Sequence, residues 1–224
     1  MDTLQTLSLA MGTAWASGLN LYATIATLGL AGSAGMIQLP PDLQVLTQPL
    51  VIGVACIMYF IEFFADKVPY VDNGWDVIHT FIRIPAGALL AARAVGPVNP
   101  ALELAALMAG GTVALAAHGT KASVRLAVNV SPEPFSNWFA SVGEDLAVLG
   151  GIWMIFHHPL VMVLLVVGFT ALAAWLIPKL FRLAKRGFQA LRARLRGERP
   201  APMVTNTSSS TLPPVQVRGS KLYQ

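Results

Sequence analysis

Charge is scarce in this sequence. Asp, Glu, Lys and Arg together make up 12% of the chain, about half of what a soluble domain carries. That scarcity excludes a globular domain with water on every side. Cysteine is scarcer still: one thiol, Cys56, rules out a disulfide within a single chain. Its place in an apolar run makes it an inert lipid- or core-facing group. No base precedes the first apolar stretch, where "MDTLQT" carries Asp2 instead. "AWAS" at residues 14–17 is therefore retained helix and not a signal-peptidase site. Also missing are a nucleophile elbow, a phosphate loop and any recognisable metal-ligand spacing. These absences weigh against catalysis without excluding it.

What is present is apolar. Hydrophobic residues make up 55% of the chain and the mean hydropathy is +0.62. Several runs approach the roughly 20 residues needed to cross a hydrocarbon core. Six segments stand out, at residues 4–34, 50–65, 77–95, 101–117, 138–156 and 160–177. The expected fold is all-α: a polytopic membrane helix bundle of about six spans. The first segment is too long for one straight crossing and is interrupted by "SGLN", Ser17 to Asn20. It is either one tilted, interrupted span or two half-helices meeting at a break, and the single span is favoured. "MGTAWASGLNLYATIA" and "TVALAAHGTKASVRLA" echo each other around Ser-Gly and His-Gly, as in a 3+3 inverted repeat.

The bases are unevenly placed. Of fifteen Lys and Arg, ten lie from Lys179 onward, against the single acid Glu198. Such a distribution suits a membrane-surface anchor and argues against a nucleic-acid partner. Leu180, Ala184, Phe188, Leu191 and Leu195 recur at helical spacing among those bases. Residues 179–197 are thus expected to form an amphipathic helix on anionic lipid headgroups. Pro178 would separate that helix from the transmembrane domain, residues 1–178, and the Pro/Ser/Thr-rich residues 198–224 would be disordered. The positive-inside rule places the tail, Lys67, Lys121 and Arg125 on the cytoplasmic side, with Arg93 the exception. Six spans would put both termini in the cytoplasm, and the loop at residues 97–100 outside it.

Polar residues inside the apolar runs fall on shared helical faces. Glu62 and Asp66 are four apart, Asp76, His79 and Arg83 share a face, and so do His118, Arg125 and Asn129, with Lys121 beside them. Asn137, Ser141 and Glu144 form a fourth face, with Asp145 adjacent. Ser131 is a plausible N-cap for that helix, with Pro132 at its first position. A charge at the bilayer centre costs roughly 2.5–3.5 kcal/mol or more, so such groups turn inward and pair. These faces are expected to wall one polar cavity. The plain alternative is ion pairing that only fixes the bundle. "HHP" at residues 157–159 resembles a metal pair, but is expected to be a turn at the opposite membrane face.

At these residues the chain resembles a known family. "EFFADKVPYVDNGWDVIHTFIRIPAGALLA" and "HGTKASVRLAVNVSPEPFSNWFASVGED", with "SGLNLY" upstream, resemble the bacterial membrane family catalogued as domain of unknown function 4126. The resemblance covers roughly residues 5–175 and leaves out the basic tail. It implies a multi-span protein of the bacterial cytoplasmic (inner) membrane. No activity, cofactor or catalytic residue comes with it.

Three readings follow. The leading one is a transporter-like or ligand-binding membrane protein, its cytoplasm-side cavity holding an anionic or zwitterionic solute or a lipid headgroup. In it Lys121 and Arg125 attract phosphate or carboxylate, while Glu62, Asp66 and Glu144 carry protons or a cation. The second is a membrane enzyme acting on a lipid or isoprenoid phosphate, with a metal held by the acids and His118 or His79 as acid/base. The third is a scaffold subunit. A homo-oligomer is compatible with each, and the sequence specifies no cofactor.

Overall fold

The computed structural model describes residues 1–68, 71–97, 99–129 and 134–195. Among these the chain is all-helical: α1 (Thr3–Ser33), a short 3-10 helix η1 (Pro41–Thr47), α2 (Pro49–Ala65), α3 (Val71–Val95), α4 (Pro100–Asn129), α5 (Pro134–His157) and α6 (Pro159–Leu195). Proline opens α2, α4 and α6, where its fixed φ suits a helix and its missing N–H costs nothing. Asp2 caps α1 by accepting from the Gln5 amide at 2.6 Å. The second end of α1 closes at Gly35, whose φ of 70° suits a residue without a Cβ.

Burial is inverted relative to a soluble protein. Arg83, Arg125 and Lys121 are among the largest fully buried side chains, whereas Phe81 is 80% exposed and Phe139 78%. Only a solvent that accepts aromatic rings and rejects charge makes that arrangement stable. Four helices, α3 to α6, contain stretches long and apolar enough to cross a bilayer. A fifth span results when η1 and α2, bent by 64° at their junction, count together.

α1 does not cross. At 31 residues, a straight helix would hold its ends about 46 Å apart. Instead Met1 and Gln5 line the same cavity as Met36 and Gln38, together with His157. The helix breaks at Asn20, whose φ of −147° and ψ of 101° are extended. The two arms meet their neighbours in opposite order. Gly12 lies at Ile155 and Trp15 at Gly151, approaching the break; Gly29 lies at Ile52 and Gly32 at Thr47, leaving it. α1 is therefore a helical hairpin entering from the His157 end, its tip deep in the bundle. Asn20 is the N-cap of the returning arm, for its Oδ1 accepts from the Ala23 amide at 2.9 Å.

The hairpin is the core of the fold. It is buried almost continuously from Ser8 to Gly29, and its threonine hydroxyls at 13 and 24 bond within it. Thr13 donates to the Leu9 carbonyl at 2.6 Å and Thr24 to that of Asn20 at 2.8 Å. Small residues let the helices close on it. A Cβ on Gly18 would lie 2.7 Å from Ala117, and one on Gly87 2.7 Å from the Ser17 hydroxyl.

Several expectations change accordingly. Of the two readings of the first segment, the half-helices are what the backbone forms, because Asn20 caps a new helix where a single span would continue. With five crossings at most and a hairpin, the Met1 end lies at the opposite end of the bundle from the Lys179 end of α6. α4 runs unbroken through His118 and Gly119, so the two echoing segments adopt different backbones. α6 contains Pro178 and runs on to Leu195. Side chains of the tail from residue 183, with the proposed apolar stripe and the segment 198–224, lie outside the described residues. So do Ser131 and Pro132; α5 begins at Pro134.

Candidate functional site

The charged faces of α2, α3, α4 and α5 meet at one level, toward the end of the bundle away from His157. Their helices extend beyond the apolar runs that mark them in sequence. α4 continues past Ala117 to Asn129 and α3 begins at Val71, because partners on neighbouring helices satisfy the polar residues there.

Lys121 sits at the centre, fully buried. Its ammonium lies 3.1 Å from Glu62, 3.0 Å from Asp66 and 3.3 Å from Glu144, with Asp76 at 4.0 Å. Arg83 pairs with Glu62 and, at 3.1 Å, with Asp76. Arg125 forks onto Glu144 at 2.8 and 3.3 Å and reaches Asp66 at 3.1 Å. It also donates to the carbonyls of Asp66 at 2.8 Å and Asn137 at 3.3 Å. Charge-assisted bonds of this kind are the strong ones, and they tie four helices together.

Three cations thus face four carboxylates. Each of Glu62, Asp66 and Asp76 spends one oxygen on the cations, while Glu62 Oε2, Asp66 Oδ1 and Asp76 Oδ2 are buried without a hydrogen-bond partner. Glu144 is the least enclosed acid, its side chain 13% exposed against 0% for Glu62 and 3% for Asp66.

Two histidines flank the cluster. His118 Nδ1 accepts from Arg83 at 3.3 Å, which leaves Nε2–H to donate to Thr80 Oγ1 at 2.7 Å. Thr80 in turn donates to the Asp76 carbonyl at 2.9 Å. His79 Nδ1 donates to the Trp75 carbonyl at 2.9 Å, so its Nε2 accepts from Tyr22 at 3.2 Å. The bonding pattern assigns both rings as neutral. His79 thereby connects α3 to the hairpin.

Asp145 faces elsewhere. Its two oxygens accept from Asn20 Nδ2 at 3.2 Å and the Tyr59 hydroxyl at 2.9 Å. Lys67 leaves the end of α2 over the Phe63 ring, 2.8 Å from its centroid, and donates to the Phe63 carbonyl at 3.0 Å. Burial against that ring pushes its ammonium below the ordinary lysine value.

The fold therefore joins Glu62, Asp66, Asp76, Arg83, Lys121, Arg125 and Glu144 in one ion-pair cluster, with His118 and the Asn137 carbonyl bonded to it. His79 stands one step away, Asp145 belongs to the hairpin tip, and the Asn129 side chain lies outside the described residues. Asn20, Tyr22, Tyr59 and Thr80 were missed as site residues. Tyr59 shared a legible signal, being three residues before Glu62 on the same helical face; Tyr22 and Asn20 needed the hairpin. At the other end, Arg93 and Asp42 lie 4.0 Å apart, both partly solvated. His157 stacks on Trp153 with centroids 4.8 Å apart. Among the described residues no group of three or more His, Cys, Asp or Glu is arranged to hold a metal ion.

Apolar exterior, several crossing helices and a buried charge cluster define a multi-pass membrane protein. More narrowly, the chain belongs to the family described as Domain of unknown function (DUF4126), whose model matches residues 7–179. No curated protein and no solved structure matches it.

Proposed function

We propose that this is a transporter-like membrane protein seen with its binding site closed. The site takes an anionic or zwitterionic solute, or a lipid headgroup, from the face that carries Lys67. The observation that carries this reading is the helix break at Asn20, placed deep in the bundle beside a cluster with one more carboxylate than cations. Broken helices at membrane depth are tolerated where protein encloses them or they line a cavity, and they recur at transporter binding sites.

In the closed arrangement the carboxylates of the protein occupy every cation. An incoming phosphate or carboxylate must displace one, and Glu144, the most accessible, is the natural one to leave Arg125. By the positive-inside rule the Lys67 face, which also carries Lys179 and Arg182, is cytoplasmic. The Met1 end is then external, in the bacterial inner membrane.

The test uses protein in nanodiscs, its orientation first fixed in cells by impermeant thiol labelling of Met36→Cys. Thermal unfolding is followed with inorganic phosphate, with glycine, and with phosphatidylglycerol in the disc. Stabilisation by at least one probe is expected. Glu144→Gln, which removes the carboxylate competing for Arg125, should strengthen it, and Arg125→Gln should remove it. Stabilisation that survives Arg125→Gln, or none from any probe, overturns the reading.

A further inference from the structure

A second site lies outside the cluster. A cleft of about 320 Å³ opens between the returning arm of α1, α2 and α5. Its walls are apolar, including Ala26, Leu30, Phe60 and Leu149. Leu30, Phe60 and Leu149 are 51%, 58% and 49% exposed, so the mouth faces the lipid. Asp145 and Tyr59 form its polar end, and Cys56 lies along its wall.

Asp145 is unusual among the carboxylates of the bundle. Glu62, Asp66, Asp76 and Glu144 all touch a cation. Asp145 is held only by the neutral donors Asn20 and Tyr59, with no cation in ion-pair distance among the described residues. Lys67 and Lys121 act on it only through space, and an ionised carboxylate beside lipid with no cation in contact is costly. Two neutral hydrogen bonds hold it in place without removing its charge. A positive group entering the cleft would remove that cost, while an alkyl chain would fill the apolar remainder. The rings of Tyr59 and Phe60, whose centroids are 5.8 Å apart, add π-faces suited to an ammonium.

We infer that this cleft binds a single-chain lipophilic ammonium that enters from the membrane, its cationic head on Asp145 and its tail along Leu30 and Leu149. Because Asn20 bonds both Asp145 and the backbone of the returning arm, the bound head sits one residue from the hairpin tip. The inference does not depend on what the ion-pair cluster binds.

The experiment compares decylammonium, decanol and decanoate as additives to the full-length protein in nanodiscs of zwitterionic lipid. The readouts are thermal unfolding and alkylation of Cys56 by a membrane-permeant maleimide. Decylammonium alone is expected to raise the unfolding temperature and to slow Cys56 alkylation several-fold. Asp145→Asn should abolish both effects. A second variant, Ala26→Trp, leaves the carboxylate in place but fills the cleft, and should abolish them too. Equal effects from decanol would mean apolar partitioning alone and would overturn the inference. So would retention of the decylammonium effect in a folded Asp145→Asn protein, or the absence of any effect in the unmodified chain. If phosphate binding at Arg125 fails while decylammonium binding holds, the fault lies with the cluster reading alone.

Discussion

The two ends of this bundle hold their helices together by different means. Toward His157 the contacts are steric: Gly12 against Ile155 and Met162, Gly151 against Trp15, with Leu9, Val166 and Met162 fully buried around them. Toward Lys67 the contacts are electrostatic, with three buried cations and four acids in one layer. In lipid, apolar side chains gain little by leaving the solvent for the protein. Close packing can therefore hold one end only where small residues let backbones approach. The other end carries groups that the bilayer rejects, and their mutual pairing supplies the association that packing supplies elsewhere. On the proposed function the ion-pair end is the one that opens, because a competing anion weakens a charge pair and leaves a steric contact unchanged.

The sharpest way to break this contrast is to remove one charge. Arg125→Gln leaves Glu144 and Asp66 to share Lys121 as their one remaining cation; complete loss of a buried partner costs about 3–5 kcal/mol, which sets the upper bound here. Unfolding in mild detergent should show that loss, and Glu144→Gln added to it should restore a substantial part. A change close to zero for Arg125→Gln would mean that water reaches the cluster and that the two ends do not differ as described.

A smaller effect tests the hairpin between them. Asn20→Ala removes an N-cap, worth about 0.5–2 kcal/mol, and one of the two bonds on Asp145. Destabilisation in that range is expected, with faster hydrogen exchange at the amides of Leu21 to Ala23. Unchanged exchange there would contradict a helix start at residue 20. The smallest effect belongs to Arg93→Ala at the steric end. Its pair with Asp42 is 4.0 Å long, and the Arg93 side chain is 51% exposed, so the change should fall within about 1 kcal/mol. A loss comparable to that of Arg125→Gln would erase the distinction between the ends.

The sequence made some of this legible. Glu62 with Asp66, Asp76 with Arg83, and Lys121 with Arg125 were readable as inward faces, because helical spacing fixes which side chains share a side and lipid leaves charge only one direction to turn. The break at "SGLN" was visible as well, but its consequence was not. A crossing helix and a hairpin share the same local start: an Asn that caps a helix looks alike whether the next arm continues or returns. Tyr22 and Tyr59 were hidden for a related reason, since their partners lie on other helices and no local pattern marks a hydroxyl that will meet His79 or Asp145.

Composition and periodicity alone determined that this chain lives in a bilayer as a helix bundle, and which face of each helix is polar, because both follow from how single residues partition between lipid and protein. Three matters were decided only in three dimensions: the return of α1; the pairing of Lys121 with acids from three other helices; and the placing of Asp145 at the end of its own cleft. Each depends on which helices become neighbours, and that is settled by packing around the buried hairpin rather than by any segment considered alone.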